Sequence, residues 1–272
     1  MKTYSSYYSD NFVFNHIQIN SPHDFQMHNH DICELIYLKK GDVTYIIEGK
    51  IFKSSKNCLL LTRPLENHTV TFHSSAPYER YNILFDENKL TSNIYRHISP
   101  NTVMLNFDSN TLVSELFKKM DYYCENFEGD ELYTILMHLT EEVLYSSVLV
   151  SQNADQSAIY TTNPIIQAVL EYIDRSIHTP LSMDAICKEF YISKSHLHHL
   201  FIKYLKLTPQ QYISSKKLAT AQRELRSGHK ATTVYTDCGF SDYSTFFRAY
   251  KKYFGHAPSD EINMNSIRKI QS

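Results

Sequence analysis

The chain has 272 residues, 42% hydrophobic and 21% charged, which is enough apolar material for roughly two domains with packed cores and excludes global disorder. Lys and Arg number 27 against 29 Asp and Glu, a net charge of −2 with a pI near 6.7; taken whole, this argues against a nucleic-acid binder. Six glycines leave no room for Gly-rich phosphate loops, and Cys33, Cys58, Cys124, Cys187 and Cys238 form no C-x-x-C pair, so they read as free buried thiols.

The first hundred residues read as β. Short β-branched and aromatic runs at Phe12–Phe14, Cys33–Leu38, Val43–Ile47, Cys58–Thr62, His68–Phe72 and Tyr81–Phe85 are separated by turn residues, the pattern of a sandwich or barrel. Lys40-Gly-Asp42 and Glu48-Gly-Lys50 read as hairpin turns. After Asn110 the period becomes helical. Leu112, Val113, Leu116, Phe117 and Met120 form one apolar stripe, and Leu132, Ile135, Leu136, Leu139, Val143 and Leu144 form another. The two runs, split by Glu125–Gly129, predict a helical hairpin. Its stripe at Leu132, Ile135, Leu136, Leu139 and Val143 is expected to be a homodimer seam, with ordinary core packing as the alternative. Residues 151–163 are polar and aperiodic and read as a linker; Asn163-Pro164 then caps a helix, and the chain continues as helix to Pro258.

The charge divides at the linker. Residues 1–163 hold 12 basic and 20 acidic side chains, a balance of −8; residues 164–272 hold 15 and 9, a balance of +6. A chain joining an acidic β-rich half to a basic helical half is expected to touch nucleic acid with the basic half. That half also repeats itself. Shifted by 49 residues, Tyr191 falls on Phe240, Ser193 on Asp242, Leu197 on Phe246, Phe201 on Tyr250 and Pro209 on Pro258. Each copy reads as a short helix (Leu181–Phe190, Thr232–Cys238), a turn, and a capped second helix, which is a helix-turn-helix written twice. Thr208-Pro-Gln-Gln211 opens a long connecting helix with a capping box. Two second helices held by one rigid helix would reach successive major grooves about 34 Å apart.

At these residues the chain resembles the AraC/XylS (arabinose-regulator) family. The matching runs are Leu181–Cys187, Ser193–Lys203, Thr208–Ile213, Lys217–Ala221, Cys238–Arg248 and Tyr250–Pro258. Departures are Lys206 where Gly is frequent, Lys217 for Arg, Tyr235 for a small residue, Phe247 for Ser or Thr, and Glu261 where Tyr commonly follows the closing Pro. The resemblance implies base contacts from Ser195, His198 and His199 in the first unit, and from Tyr243, Ser244, Phe247 and Arg248 in the second. Lys194, Lys203, Lys251 and Lys252 are expected on phosphates. It also implies an α+β, two-domain fold: a cupin-like β-barrel with a helical hairpin over 1–150, a linker over 151–163, and an all-α domain with two helix-turn-helix units over 164–272.

In the acidic half, His28-x-His30, Glu34 and His68 follow the order of a cupin metal site. A metal-dependent cupin-type enzyme fused to a helical domain is therefore the competing reading. In regulators of the resembled family this pattern commonly persists without a catalytic metal, so no cofactor and no catalytic residue are expected. The expectation is an effector pocket with His28, His30, Glu34, Tyr37, Arg63 and His68 as contacts, and Tyr45, Tyr78 and Tyr81 on or beside its strands. The resemblance points to a sugar among possible effectors. The expected protein is a cytoplasmic transcriptional activator with four interactions: double-stranded promoter DNA, a small-molecule effector, a second copy of itself and RNA polymerase. No apolar run near ~18 residues suggests a membrane segment, and the N-terminus lacks a secretory stretch.

Overall fold

The computed structural model describes residues 1–54, 56–98, 103–107, 112–152, 160–179 and 181–263. Its N-terminal part has nine strands among the described residues. These are β1 (Lys2–Tyr8), β2 (Phe12–Ile19), β3 (Cys33–Lys40), β4 (Val43–Ile47), β5 (Lys50–Ser54), β6 (Cys58–Thr62), β7 (His68–Phe72), β8 (Tyr78–Phe85) and β9 (Met104–Asn106). They form a six-stranded sheet in the order β1-β2-β8-β3-β6-β9 and a three-stranded sheet in the order β5-β4-β7. All pairings are antiparallel.

Side-chain alternation gives the large sheet two different faces. Phe12 and Phe14, Cys33, Leu35 and Tyr37, Leu59 and Leu61, and Tyr81, Ile83 and Phe85 share one core with the helical hairpin. The intervening residues Ile36, Leu38, Leu60 and Tyr78 pack with Val43, Tyr45, Ile47 and Val70 of the small sheet. The layers are therefore small sheet, large sheet, helical hairpin. Glu48 and Gly49 both have positive φ, the geometry of a tight two-residue turn joining β4 to β5. Lys40-Gly41-Asp42 is not a hairpin, because it carries the chain from the large sheet to the small one.

The hairpin consists of α1 (Leu112–Asn126) and α2 (Gly129–Ser151). Its expected dimer seam faces inward. Leu136 and Val143 are fully buried, Leu132 and Leu139 nearly so, and Ile135 packs half-buried against the same core. The large sheet's outer face needs an apolar cover, and this stripe supplies it, so the seam residues are unavailable to a second copy.

The basic half has six α-helices among the described residues: α3 (Pro164–Arg175), α4 (Met183–Glu189), α5 (Lys194–Leu205), α6 (Pro209–Arg226), α7 (Ala231–Asp237) and α8 (Tyr243–Phe254). The caps follow the sequence. Asn163, Ser193 and Asp242 accept backbone N–H groups at the starts of α3, α5 and α8, and Thr208 with Gln211 closes a reciprocal capping box on α6. Two cores result. Leu197, Phe201, Tyr212 and Ile213 belong to one, and Leu218, Leu225, Phe246 and Tyr250 to the other. The connecting helix α6 is thus the shared wall of both helix-turn-helix units. The end of the polar segment is tied down: Ile51 and Thr161 exchange backbone hydrogen bonds, and Thr162 donates to the Gly49 carbonyl at 3.1 Å. Residues 153–159 of the expected linker lie outside the described residues.

Candidate functional site

Between the two sheets lies a cavity of about 320 Å³. Period-two alternation selects its walls. β2 contributes Asn15, Ile17 and Ile19, β3 Glu34 and Ile36, β6 Leu60 and Thr62, and β8 Tyr78, Arg80, Asn82 and Leu84. The small sheet adds Tyr45, Ile47, His68 and Val70. The wall mixes branched aliphatic and aromatic side chains, with polar atoms set among them. Four of these atoms, Arg80 Nη1, Asn15 Oδ1, Asn82 Oδ1 and Thr62 Oγ1, are buried without a hydrogen-bond partner. Buried polar groups left unpaired are expensive, and inside a cavity they mark where a ligand's polar atoms belong.

Tyr45 and Tyr78 line this cavity, their hydroxyls 2.8 Å apart. Burial raises both phenols, Tyr78 to about 12, so both stay protonated. Tyr37 and Tyr81 sit on the sheet's other face. Tyr37 stacks on Phe117 with ring centroids 5.0 Å apart, and Tyr81 donates to Asp121 at 2.8 Å. Tyr37 lies three residues from Glu34 on one strand, so the two must point oppositely. It is therefore removed from the expected contacts. Arg63 does not line the cavity either; it lies in the turn after β6, where its backbone N–H donates to Glu66 at 2.8 Å. Arg80 takes the role of cavity cation. It could have been found by parity, since Arg80, Asn82 and Leu84 alternate along β8 and Leu84 pairs with Glu34.

At one end of the cavity His28, His30, Glu34 and His68 come together, one donor atom from each lying within 4.8 Å of the others. Each histidine directs Nδ1 at a backbone carbonyl: His28 at Gln26 (2.9 Å), His30 at Ile32 (2.7 Å) and His68 at Glu66 (2.8 Å). A carbonyl can only accept, so Nδ1 carries the proton in all three rings. Nε2 of His68 lies 2.9 Å from Glu34 and Nε2 of His30 lies 3.4 Å from it. Burial pushes Glu34 up, but hydrogen bonds from His30 and His68 outweigh it and hold the carboxyl well below its ordinary range. Burial, reinforced by His68, pulls His28 down to about 4.

On the helical half, Lys194, Ser195, His198, His199 and Lys203 of α5 are exposed, as are Tyr243, Ser244, Arg248, Lys251 and Lys252 on α8. Phe247 is half-buried, 6.1 Å from the Tyr243 ring. Lys194 pairs with Asp184 at 2.7 Å. Apolar residues of both helices face inward, so each presents a polar, partly basic face to solvent, as a groove-reading helix requires.

The two halves touch through polar groups. Glu48 accepts from the Tyr212 hydroxyl and pairs with Lys216 at 3.0 Å; Lys216 also meets Asp174 at 3.2 Å. Asn67 accepts from Ser215 at 3.1 Å, and Asn29 accepts from Tyr253 at 3.3 Å. Arg226 pairs with Asp31, and Arg223 lies 3.9 Å from Glu87.

A sheet-walled cavity joined to two helix-turn-helix units defines a ligand-responsive DNA-binding regulator. Comparison with known proteins agrees: residues 14–106 match the AraC-like ligand binding domain and residues 186–263 a helix-turn-helix domain. The chain belongs to the AraC/XylS family of transcriptional regulators. It is 22% identical over 250 residues to the HTH-type transcriptional activator RhaS of Escherichia fergusonii, covering 87% of each chain. It is 25% identical over 126 residues to the XylDLEGF operon transcriptional activator 2 of Pseudomonas putida, covering 45% of this chain and 80% of that one. A solved structure of ToxT from Vibrio cholerae with an unsaturated fatty acid bound is 13% identical, with a TM-score of 0.42 over 94% of this chain and 96% of that one. The relatives from Escherichia fergusonii and Pseudomonas putida are transcriptional activators, and the enzyme reading of the His/Glu set is set aside. Among the described residues no helix is long and apolar enough to cross a membrane.

Proposed function

We propose that the chain is an effector-responsive transcriptional activator of the cytoplasm whose inter-sheet cavity holds the effector. The observation that carries this reading is the set of polar atoms buried without a hydrogen bond along the cavity, Arg80 having only a 4.0 Å ion pair with Glu34. Arg80 offers a donor, Asn15 and Asn82 offer carbonyl acceptors, and Thr62 offers a hydroxyl. The ligand they suit has an apolar body and a head carrying both acceptor and donor groups; a fully hydroxylated sugar would leave the isoleucine wall poorly matched. His28, Glu34 and His68 line the polar end as further contacts, whereas His30 does not line the cavity and meets Glu34 at 3.4 Å.

On the DNA side, Ser195, His198, His199, Tyr243, Ser244, Phe247 and Arg248 are proposed to read bases, and Lys194, Lys203, Lys251 and Lys252 to hold phosphates. The activating sign follows the two named relatives, both called activators. Homodimerisation and contact with RNA polymerase belong to the same proposal. With the inner stripe of α2 committed to the core, the hairpin's exposed Leu112, Tyr122 and Tyr145 are proposed to face a second copy. The domain limits 1–150, 151–163 and 164–272 are retained as the working division.

The test is a thermal-shift screen of the full chain with sugars, carboxylates and amphiphiles, followed by DNA-binding titrations with each hit. A hit should raise the melting temperature, lose its effect in Arg80→Met, and change DNA affinity. Hits insensitive to Arg80→Met would sink the assignment of the cavity.

A further inference from the structure

The four residues at the cavity's polar end have a feature that effector contact alone does not require. Three imidazoles from two separate segments each spend Nδ1–H on a backbone carbonyl within two residues of their own position. Those bonds fix ring orientation and tautomer together; Nε2 of His30 and His68 then faces the Glu34 carboxylate, and His28 completes a set whose donor atoms lie within 4.8 Å of one another. Outer hydrogen bonds of this kind are what orient histidines that ligate metals. Nε2 of His68 adds a second observation: it is buried and only 2.9 Å from the Glu34 carboxylate, so the two donor atoms already face each other. Tetrahedral ligands about 2.1 Å from an ion lie roughly 3.4 Å from one another, so donors already within 4.8 Å need only small side-chain adjustments to close on one.

The same short strap faces two ways. His28 and His30 point into the cluster, while Asn29 between them meets Tyr253 of α8 and Asp31 pairs with Arg226 of α6. Asn67, next to His68, accepts from both Asn29 (3.2 Å) and Ser215 of α6 (3.1 Å). Every segment that brings a histidine to the cluster also carries a neighbour bound to the helical half.

We propose that His28, His30, Glu34 and His68 bind one divalent first-row transition-metal ion, and that its occupancy sets how the strap holds α6 and α8 and thereby the affinity for DNA. Three imidazoles and a carboxylate suit zinc, iron, manganese or cobalt. Ion binding stands on its own geometry; only its consequence for regulation rests on the reading of this half as the sensing domain.

The full-length chain, stripped with a chelator, is titrated with Zn²⁺ alone by calorimetry and with Co²⁺ alone by visible absorption. No effector is present, so a failed effector screen has no bearing on the result. One ion per chain is expected, with a cobalt ligand-field band and a higher melting temperature. Glu34→Gln and His28→Ala should weaken binding by roughly tenfold or more. His28 is only half-buried, so that variant separates lost binding from lost folding. Absence of binding by folded wild-type protein, or binding unchanged in both variants, overturns the site. DNA affinity, measured on a duplex selected by the full chain from a random pool, should shift at least about fivefold with Zn²⁺, by a coupling free energy of the usual allosteric size. In Asn29→Ala and Asp31→Ala the ion should still bind while this shift disappears. An ion that binds wild-type protein without altering DNA affinity overturns the coupling.

Discussion

At the residue scale the departures from the family pattern have structural partners. Glu261, where a Tyr is common, is buried and accepts from Gln222 at 3.0 Å and from the Tyr250 hydroxyl; it also pairs with Arg226 at 2.8 Å and His256 at 3.1 Å. It ties the segment after α8 to α6 and α8. Lys217 sends its ammonium to the carbonyls of Thr179 (3.3 Å) and Gly239 (2.5 Å), bridging the two helix-turn-helix units. Gly239 has φ +68, and a Cβ there would lie 2.7 Å from the Thr179 carbonyl, so this turn requires glycine. Glu261→Ala should destabilise the second unit by roughly 3–5 kcal/mol, because Arg226 and His256 lose a buried partner; denaturant unfolding followed by circular dichroism measures it. Arg248→Ala should cost roughly 1–3 kcal/mol on the selected site and relax preference at one base pair, whereas Lys252→Ala should weaken all sequences alike. Equal losses on specific and random duplex for both variants would remove Arg248 from the reading set. The sequence displayed Glu261 as an anomaly but not its partners, which come from residues up to 39 positions away.

At the element scale, caps and periodicity were the legible part. Asn163, Ser193, Thr208 and Asp242 each begin a helix because their side chains satisfy N–H groups that no helix can satisfy internally. Less legible were β1, β5 and β9. β1 is a polar edge strand without an apolar run, β5 is partly exposed, and β9 has three residues. Which face of the hairpin meets the sheet was also hidden, since an apolar stripe looks the same over a core or a partner. Leu136→Asp now separates the cases. Set in a core rather than a seam, it should unfold the N-terminal half, at a cost of order 5 kcal/mol or more, instead of giving folded monomers by sedimentation. Docking of α1 also depends on pH. Burial pushes the Asp121 carboxyl up, but hydrogen bonds from His16, Ser5 and Tyr81 outweigh it and hold the carboxyl below its ordinary value. A depressed carboxyl contributes stability above its unfolded value near 4 and loses it as pH falls through the lower folded value. The melting temperature should therefore drop on acidification from about pH 4 downward, and less steeply in Asp121→Asn; parallel pH profiles would show that Asp121 contributes nothing.

At the scale of the whole molecule the division into −8 and +6 has a second use beyond DNA. Lys216, Arg223 and Arg226, all on α6, face Glu48, Glu87 and Asp31 of the acidic half. The charge division predicts DNA contact by the basic half; the structure adds that part of the basic excess holds the two halves together. Burial opposes the charge on Lys216, but Glu48 and Asp174 outweigh it and raise its pKa, so it stays charged in the interface. Glu48→Gln should weaken this contact by roughly 1–3 kcal/mol and speed protease cleavage between residues 152 and 160, with little change in either half's own melting. Unchanged cleavage would mean that the interface does not depend on Glu48. No sequence pattern announces Glu48, because its partners Tyr212 and Lys216 lie more than 160 residues away.

The alternation over residues 28–31 bears on how this protein can evolve. Substitution at Asn29 or Asp31 alters one contact and leaves the strap's parity intact. Inserting or deleting one residue exchanges the two sides, turning histidines toward α6 and α8 and the amide and carboxylate inward. The segment should therefore drift in composition far more freely than in length. A spacing of one residue between His28 and His30, with four from His30 to Glu34, is the feature to look for in any descendant that still couples its sensor to its DNA-binding half.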